Sequence, residues 1–133
     1  MAKAYALIFA PQNGKIISKG SKGDTMIYTI DEIKKRIEPV AKKYDIEKVY
    51  LFGSYARGDA TEESDVDLRI DGDRKIRSLI DLSGLFLDFE NALQKSIDVV
   101  TTDSLRQNIN NPLTRRFIRT IKKEEELIYV KHI

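Results

Sequence analysis

The feature that most constrains the fold is a stretch of strict alternation, DVDLRID, at residues 65–71. Successive side chains of a β-strand point to opposite faces, so Val66, Leu68 and Ile70 share one face while the charged residues share the other. One face of such a strand packs into a core and the other stays polar. The stretch therefore predicts a half-buried strand in a sheet that is covered by helices.

Three further apolar segments predict the remaining strands. The continuous run Val49 to Phe52 suits a strand that is buried on both faces. Residues 96–101 (SIDVVT) and residues 127–130 (LIYV) predict two more strands.

A first helix is predicted from Thr29, which has capping-box spacing to Glu32. Pro39 lies inside the helical pattern and is expected to kink or divide the helix. The apolar residues that recur at steps of three and four, and so form one stripe, are Ile30, Ile33, Ile37, Ala41 and Tyr44.

Two more helices follow along the chain. One is predicted over residues 74–94, with an inner stripe of Leu79, Leu82, Phe86, Phe89 and Leu93. For the other, Asn111-Pro112 offers an N-cap with proline at the first helical position, and the buried residues would be Leu113, Phe117 and Ile121. The order helix, strand, strand, helix, strand, helix, strand indicates an α/β or α+β fold and leaves the strand directions open.

Composition limits the class of protein. The chain has 133 residues, 41% hydrophobic and 33% charged, which is typical of one globular domain. Zero cysteines exclude thiolate metal sites and agree with a cytoplasmic location. The net charge of +2 is too balanced to predict direct nucleic-acid binding, and no apolar run is long enough to span a bilayer. The N-terminus lacks the cleavage pattern of a secretory signal.

The first 25 residues differ from the rest of the chain. Residues 4–18 predict a small hairpin with a turn at Asn13-Gly14, and residues 18–24 (SKGSKGD) predict a linker. We therefore expect residues 1–25 to be an N-terminal extension and residues 26–133 to form the main domain.

Asp65 and Asp67 are the first candidate site residues. They lie two positions apart on a strand, so both carboxylates project to the same side. Carboxylates held close together repel unless a cation offsets them, and hard oxygen ligands suit Mg²⁺ or Mn²⁺. Such a pair by itself is typical of a solvated loop.

Two other features change that interpretation. Gly53-Ser54 follows the apolar strand, where the glycine lets a phosphate approach the backbone and the serine hydroxyl donates to it. Asp98 lies between apolar residues in SIDVVT, and a buried carboxylate needs a partner or a function. If the two strands are neighbours, Asp98 joins Asp65 and Asp67, so the three elements together favour a site that binds metal and phosphate.

These residues resemble a known family. Gly53-Ser54, ten intervening residues, Asp65-Val66-Asp67 and a later Asp98 resemble the DNA polymerase β-like nucleotidyltransferases. The fuller string GSYARG…SDVDL is similar to the minimal nucleotidyltransferase (MNT) family. The resemblance covers roughly residues 30–130 and implies a small mixed sheet flanked by helices.

The resemblance also implies roles for these residues. Asp65, Asp67 and Asp98 would hold two Mg²⁺ or Mn²⁺ ions, and Asp98 would help to remove a proton from an attacking hydroxyl. Gly53 and Ser54 would bind the phosphates of ATP. Arg57 either contacts phosphate or braces the loop. The reaction would be transfer of AMP from ATP to a hydroxyl, with release of pyrophosphate.

The family implies a partner as well. MNT proteins are commonly antitoxins of HEPN-domain ribonuclease toxins, which they silence by adenylylating a hydroxyl, here expected to be that of a tyrosine. The alternatives are a non-catalytic antitoxin that occludes the toxin, and a nucleotidyltransferase that acts on a small molecule. Arg69 shares the face of the two aspartates and is expected to be solvated, to pair with Asp67 or Asp71, or to reach a phosphate.

Overall fold

The computed structural model of the chain describes residues 27–132. The predicted hairpin and linker, and with them the boundary placed after residue 25, lie outside the described residues. The helices and strands are α1 (Ile30–Lys43), β1 (Lys48–Phe52), α2 (Ser54–Arg57), β2 (Val66–Asp71), α3 (Leu79–Leu93), β3 (Ile97–Thr101), α4 (Thr102–Gln107), α5 (Pro112–Glu124) and β4 (Glu126–Val130). The predicted order is confirmed, with the short helices α2 and α4 added to it.

The four strands form one mixed sheet in the order β3-β2-β1-β4. β2 pairs with β3 in parallel, while β1 is antiparallel to both β2 and β4. The predicted α/β (α+β) class, a small mixed sheet flanked by helices, is confirmed.

The two faces of the sheet have different surroundings. The face that carries Val66, Leu68 and Ile70, which we call the inner face, is fully buried in one apolar cluster with residues of α1 and α3. The opposite, outer face is covered in part by α4 and α5 through a smaller cluster of Phe52, Val100, Leu105 and Ile121. The alternation of β2 therefore predicts correctly which side faces the main core.

Helix α1 begins with the predicted capping box. Glu32 N–H donates to Thr29 Oγ1 at 3.1 Å, and Thr29 N–H donates to Glu32 Oε1 at 2.8 Å. The expected division at Pro39 is wrong, because the helix runs unbroken from Ile30 to Lys43. Pro39 is exposed, so water can solvate the carbonyl that its missing N–H leaves free, while buried residues on either side hold the helix to the core.

Helix α3 begins later than predicted. Ser78 is its N-cap and accepts from Asp81 N–H at 3.1 Å, so residues 74–77 precede the helix. Leu79 is 65% exposed rather than part of the inner stripe, whereas Leu85 is buried. The difference arises because Leu79 occupies the first turn, beyond the reach of the sheet.

Helix α5 begins as predicted, with Asn111 as its cap and proline in its first turn. Leu113 is 62% exposed instead of buried, and the neighbouring Thr114 is buried. The side of α5 that contacts the sheet is therefore rotated by one residue at its start, while Ile121 is buried as expected.

Candidate active site

The candidate site lies on the outer face, where three neighbouring strand positions form a row. Asp67 of β2 is paired with Phe52 of β1 on one side and with Asp98 of β3 on the other. Asp98 is only 3% exposed. The predicted adjacency of the strands that carry Asp67 and Asp98 is thus confirmed, and two carboxylates occupy in-register positions next to the end of β1.

Gly53 directly follows this row and cannot be replaced by a larger residue without displacement. Its backbone has φ +77° and ψ −156°, a region that is essentially accessible to glycine alone. A Cβ atom at this position would overlap Oδ2 of Asp67. The glycine is therefore required both by its conformation and by the close approach of the Asp67 carboxylate.

Ser54 begins α2, a single helical turn. The amides of Ala56 and Arg57 both donate to the Gly53 carbonyl at 3.0 Å, and Gly58 ends the turn with φ +90°. Ser54 is half-buried and follows Gly53 directly, so it begins the turn next to the end of β1. We call residues 53–58 the glycine-serine turn.

Arg57 contacts acidic side chains of the chain itself. Its Nη1 donates to both carboxylate oxygens of Glu124, at 3.1 and 3.0 Å, and its Nε donates to Asp59 Oδ2 at 3.3 Å. Gly53 N–H donates to Glu124 Oε1 at 3.2 Å. Of the two predicted roles of Arg57, bracing of the loop is the one that these contacts favour.

Asp65 precedes β2 and lies near a second buried acid. Glu90 of α3 is fully buried, and among the described residues neither of its carboxylate oxygens has a hydrogen-bond partner. Burial, together with the charge of Asp65, raises the pKa of Glu90 to about 7. A carboxyl group in this state is largely protonated below neutral pH, so it adds little negative charge beside Asp65 there.

The acidic residues fit a divalent cation in their chemistry. Mg²⁺ typically takes one or two protein carboxylates and completes its coordination with substrate phosphates and water. Asp67 and Asp98 supply such a pair on neighbouring strands. Within residues 27–132, no three carboxylate or histidine side chains converge on one point as a complete metal site. The arrangement therefore fits a cation that arrives together with a triphosphate.

The expected solvated position of Arg69 is wrong, because its side chain is only 14% exposed. It forms a forked pair with Glu125, with Nε–Oε1 at 3.0 Å and Nη2–Oε2 at 3.1 Å. Its Nη1 also donates to Thr102 Oγ1 at 2.7 Å, and its guanidinium lies 4.0 Å from the centre of the Tyr50 ring. These contacts make Arg69 a structural anchor between the sheet and the end of α5.

Two acidic residues near the site have no signal in the sequence that would single them out. Glu124 belongs to the run EEE at residues 124–126, which reads as a solvated charge cluster. Glu90 occupies a buried position of α3. The apolar periodicity of the helix does not predict a carboxylate there. Their spacing to Arg57 and Asp65 along the chain carries no periodic pattern, so only the tertiary structure brings them to the site.

Taken together, a glycine-serine turn after one strand and carboxylates on the next two strands define a nucleotidyltransferase site. The sequence matches the family described as "Polymerase beta, Nucleotidyltransferase" over residues 35–132. The chain belongs to this family. The predicted resemblance is confirmed, and the chain carries a nucleotidyltransferase domain.

Relatives with assigned names agree with this class. A protein of Methanocaldococcus jannaschii, named as a predicted protein adenylyltransferase, is 36% identical over 76% of this chain and 94% of its own length. The protein adenylyltransferase MntA of Thermococcus cleftensis is 30% identical over 68% of this chain and 94% of its own length.

Solved structures share the fold. A toxin–antitoxin complex with AMP-PNP contains a chain that superposes with a TM-score of 0.56 at 19% identity, covering 74% of each chain. A complex of a tri-AMPylated HEPN toxin of Shewanella oneidensis with its MNT antitoxin gives a TM-score of 0.54 at 14% identity, over 77% of this chain and 74% of the other. At these identities the likeness concerns the fold. None of the helices between residues 27 and 132 is both long and apolar enough to cross a lipid bilayer.

Proposed function

We propose that this chain transfers AMP from ATP to a hydroxyl group of a partner protein, and that the partner is a HEPN-domain ribonuclease toxin, which the transfer silences. The observation that carries the proposal is the position of Asp67, which lies between the glycine-serine turn and the buried Asp98. This arrangement brings phosphate-binding and proton-accepting groups to one edge of the sheet. The protein adenylyltransferase activity that names the Thermococcus cleftensis relative supports the same reaction.

The residues act on defined parts of the reaction. Ser54, at the start of the glycine-serine turn, holds the β- and γ-phosphates through its hydroxyl. The acceptor hydroxyl oxygen forms a bond to the α-phosphorus while the bond from that phosphorus to the bridging oxygen breaks, and pyrophosphate leaves. The proton of the hydroxyl passes to the Asp98 carboxylate, which is buried beside Asp67 on the neighbouring strand.

Asp65, Asp67 and Asp98 would hold the divalent cations, Mg²⁺ or Mn²⁺, that accompany the nucleotide, and two ions are expected. Such cations, when bound, neutralise charge on the attacking and leaving oxygens of an in-line displacement. The protein contributes a rigid frame for them, since Asp67 lies in the ladder of the sheet between two other strands.

The acceptor must be supplied from outside the described domain. Residues 27–132 form one sheet with its covering helices. The proposed ATP site lies on the outer face beside Asp67. The structural neighbours that contain a HEPN toxin with an MNT antitoxin support a protein as the source of the hydroxyl.

The test is an adenylylation assay with the full chain, ATP labelled at the α-phosphate, Mg²⁺ and the product of the neighbouring gene, which the proposal predicts to be a HEPN-domain protein. The double variant Asp65→Ala/Asp67→Ala should abolish labelling of the partner. The control Asp71→Ala/Asp73→Ala removes an equal number of carboxylates at the far end of β2 and should label the partner as the wild type does.

Each result separates the candidate functions. Label on the partner that is lost in the first variant supports the proposal. Neutralisation of the toxin that survives in that variant, without label, would instead establish a non-catalytic antitoxin. Label on an added aminoglycoside or another small hydroxyl compound, with none on the partner, would establish a small-molecule nucleotidyltransferase.

A further inference from the structure

Glu124 connects α5 to the turn that precedes the catalytic strand. It is the last residue of α5, its side chain is 13% exposed, and its carboxylate reaches back to Gly53 and Arg57. The sequence separation is 71 residues to Gly53 and 67 to Arg57. This contact therefore joins two parts of the domain that no local pattern brings together.

The contact changes which groups of the turn remain available to a phosphate. Gly53 has a single backbone N–H, and Glu124 Oε1 accepts it at 3.2 Å. Arg57 Nη1 is shared between both oxygens of the same carboxylate. A phosphate oxygen would have to displace Glu124 to reach the Gly53 N–H, whereas the Ser54 hydroxyl at the start of α2 is not engaged by this carboxylate.

We propose that Glu124 is a positioning residue that fixes the glycine-serine turn for the triphosphate, a role that rests on the proposed transfer of AMP from ATP. Glu124 holds the Gly53 amide in the glycine-only conformation that brings Ser54 beside Asp67. Gly53 then serves by its lack of a side chain rather than as a phosphate donor. Arg57 serves as the counter-ion of Glu124 rather than as a phosphate ligand.

Charge balance explains why a carboxylate can occupy this position next to a polyanionic substrate. A lone negative side chain would repel the triphosphate, but Arg57 lies against both Glu124 and Asp59 and offsets their charge. The two acids keep the pKa of Arg57 above its ordinary value, with the hydrogen bond from Arg57 to Glu124 as the largest cause. The guanidinium of Arg57 is thus charged throughout the ordinary pH range.

The next residue provides a matched control. Glu125 is 17% exposed and is the C-cap residue that follows α5. It forms a comparable ion pair, but with Arg69 of β2 on the outer face. Loss of either glutamate removes one arginine pair and loosens the same end of α5. Only loss of Glu124 frees Gly53.

The experiment compares Glu124→Ala with Glu125→Ala in the full chain. Binding of α,β-methylene-ATP with Mg²⁺ is measured by calorimetry, because this analogue cannot undergo cleavage between the α- and β-phosphates. Amide hydrogen exchange at Gly53 is followed by NMR, and thermal unfolding reports stability. We expect Glu124→Ala to weaken analogue binding about tenfold or more and to speed exchange at Gly53. Glu125→Ala should change binding less than about twofold, although both variants melt at lower temperature.

Four results would overturn the inference, and they are distinguishable. Unchanged binding in Glu124→Ala would make the residue purely structural, and tighter binding would make it a competitor of the phosphate. Equal weakening in both alanine variants would assign the effect to the docking of α5 in general. Absence of analogue binding by the wild type would refute the proposed function itself. If Glu124→Ala does not fold, Glu124→Met, which keeps the length of the side chain but removes both acceptor oxygens, is measured against Glu125→Met with the same expectations.

Discussion

The inner and outer faces of the sheet are held together by different forces. On the inner face, side chains of β2 such as Leu68 are fully buried against α1 and α3, and many apolar contacts contribute to the stability of this face. On the outer face, α5 is fastened by two arginine–glutamate pairs and a small apolar cluster. The comparison indicates that the stability of this domain comes mainly from the inner face, whereas its chemistry depends on a few polar contacts on the outer face.

The largest expected effect comes from Gly53→Ala on the outer face. The new methyl group would overlap the Asp67 carboxylate and force an L-residue into a glycine-only conformation. We expect AMP transfer to fall about a hundredfold or more and the free energy of unfolding to fall by about 1–3 kcal/mol. Gly58→Ala is the control, because Gly58 also has positive φ but has no atoms within 4 Å of the added methyl. Equal loss of activity in the two variants would show that backbone strain alone is responsible.

A change on the inner face should act mainly on stability. Phe89 of α3 is fully buried, so Phe89→Ala should lower the free energy of unfolding by about 3–5 kcal/mol, measured by urea denaturation. Phe117→Ala in the outer cluster, where the ring is partly buried against Phe52, should lower it by about 1–2 kcal/mol. The comparison of the two faces fails if Phe117→Ala is as destabilising as Phe89→Ala.

Glu90 is an exception to the apolar character of the inner face and makes stability depend on pH. Its folded pKa of about 7 lies above the ordinary value of 4.5, so the folded state keeps a proton that the unfolded chain releases. Its contribution is therefore most favourable below pH 4.5 and declines as the pH rises from about 4.5 to 7. Glu90→Gln removes this titration and should be more stable than the wild type by about 3 kcal/mol at pH 8.

The measurement for Glu90→Gln is urea denaturation at several pH values in buffer without divalent cations. The stability difference from the wild type should be near zero at pH 4 and grow towards pH 8. Glu38→Gln is the control, because Glu38 is an exposed residue of α1 that pairs with Lys42. A difference that stays constant with pH for Glu90→Gln would contradict the assignment.

The sequence predicts the inner face better than the outer face, and the reason is physical. The alternation of Val66, Leu68 and Ile70 predicts directly which side chains are buried. In the neighbouring strands too, side chains alternate between the two faces with a period of two. Errors on this side occur at helix ends, such as Leu79, because periodicity does not show where the covering layer stops. The local pattern thus predicts which side of an element is buried, but not where the burial ends along it.

The outer face depends on pairings between residues far apart in the chain. The adjacency of Asp67 and Asp98 followed from the hypothesis that their strands are neighbours, and the sheet bears it out. The pair of Arg69 with Glu125 was not predicted, since Glu125 lies 56 residues away and reaches Arg69 only when α5 folds onto the sheet. The catalytic roles of six residues remain predictions: Asp65, Asp67, Asp98, Gly53, Ser54 and Arg57. The variants described above test those of Asp65, Asp67 and Gly53.

The smallest expected effect comes from a change at the start of α1. It tests the comparison of the two faces because it weakens a helix of the inner face without changing the packing of that helix. Thr29→Ala removes the side-chain acceptor for Glu32 N–H at the start of α1 and should lower the free energy of unfolding by about 1 kcal/mol. Thr29→Ser keeps the hydroxyl and should restore most of that loss. Both variants should bind α,β-methylene-ATP as the wild type does, since α1 packs on the face opposite to Asp67. Weaker nucleotide binding in Thr29→Ala would mean that the two faces are coupled through the sheet, and the division of stability and chemistry between them would then be wrong.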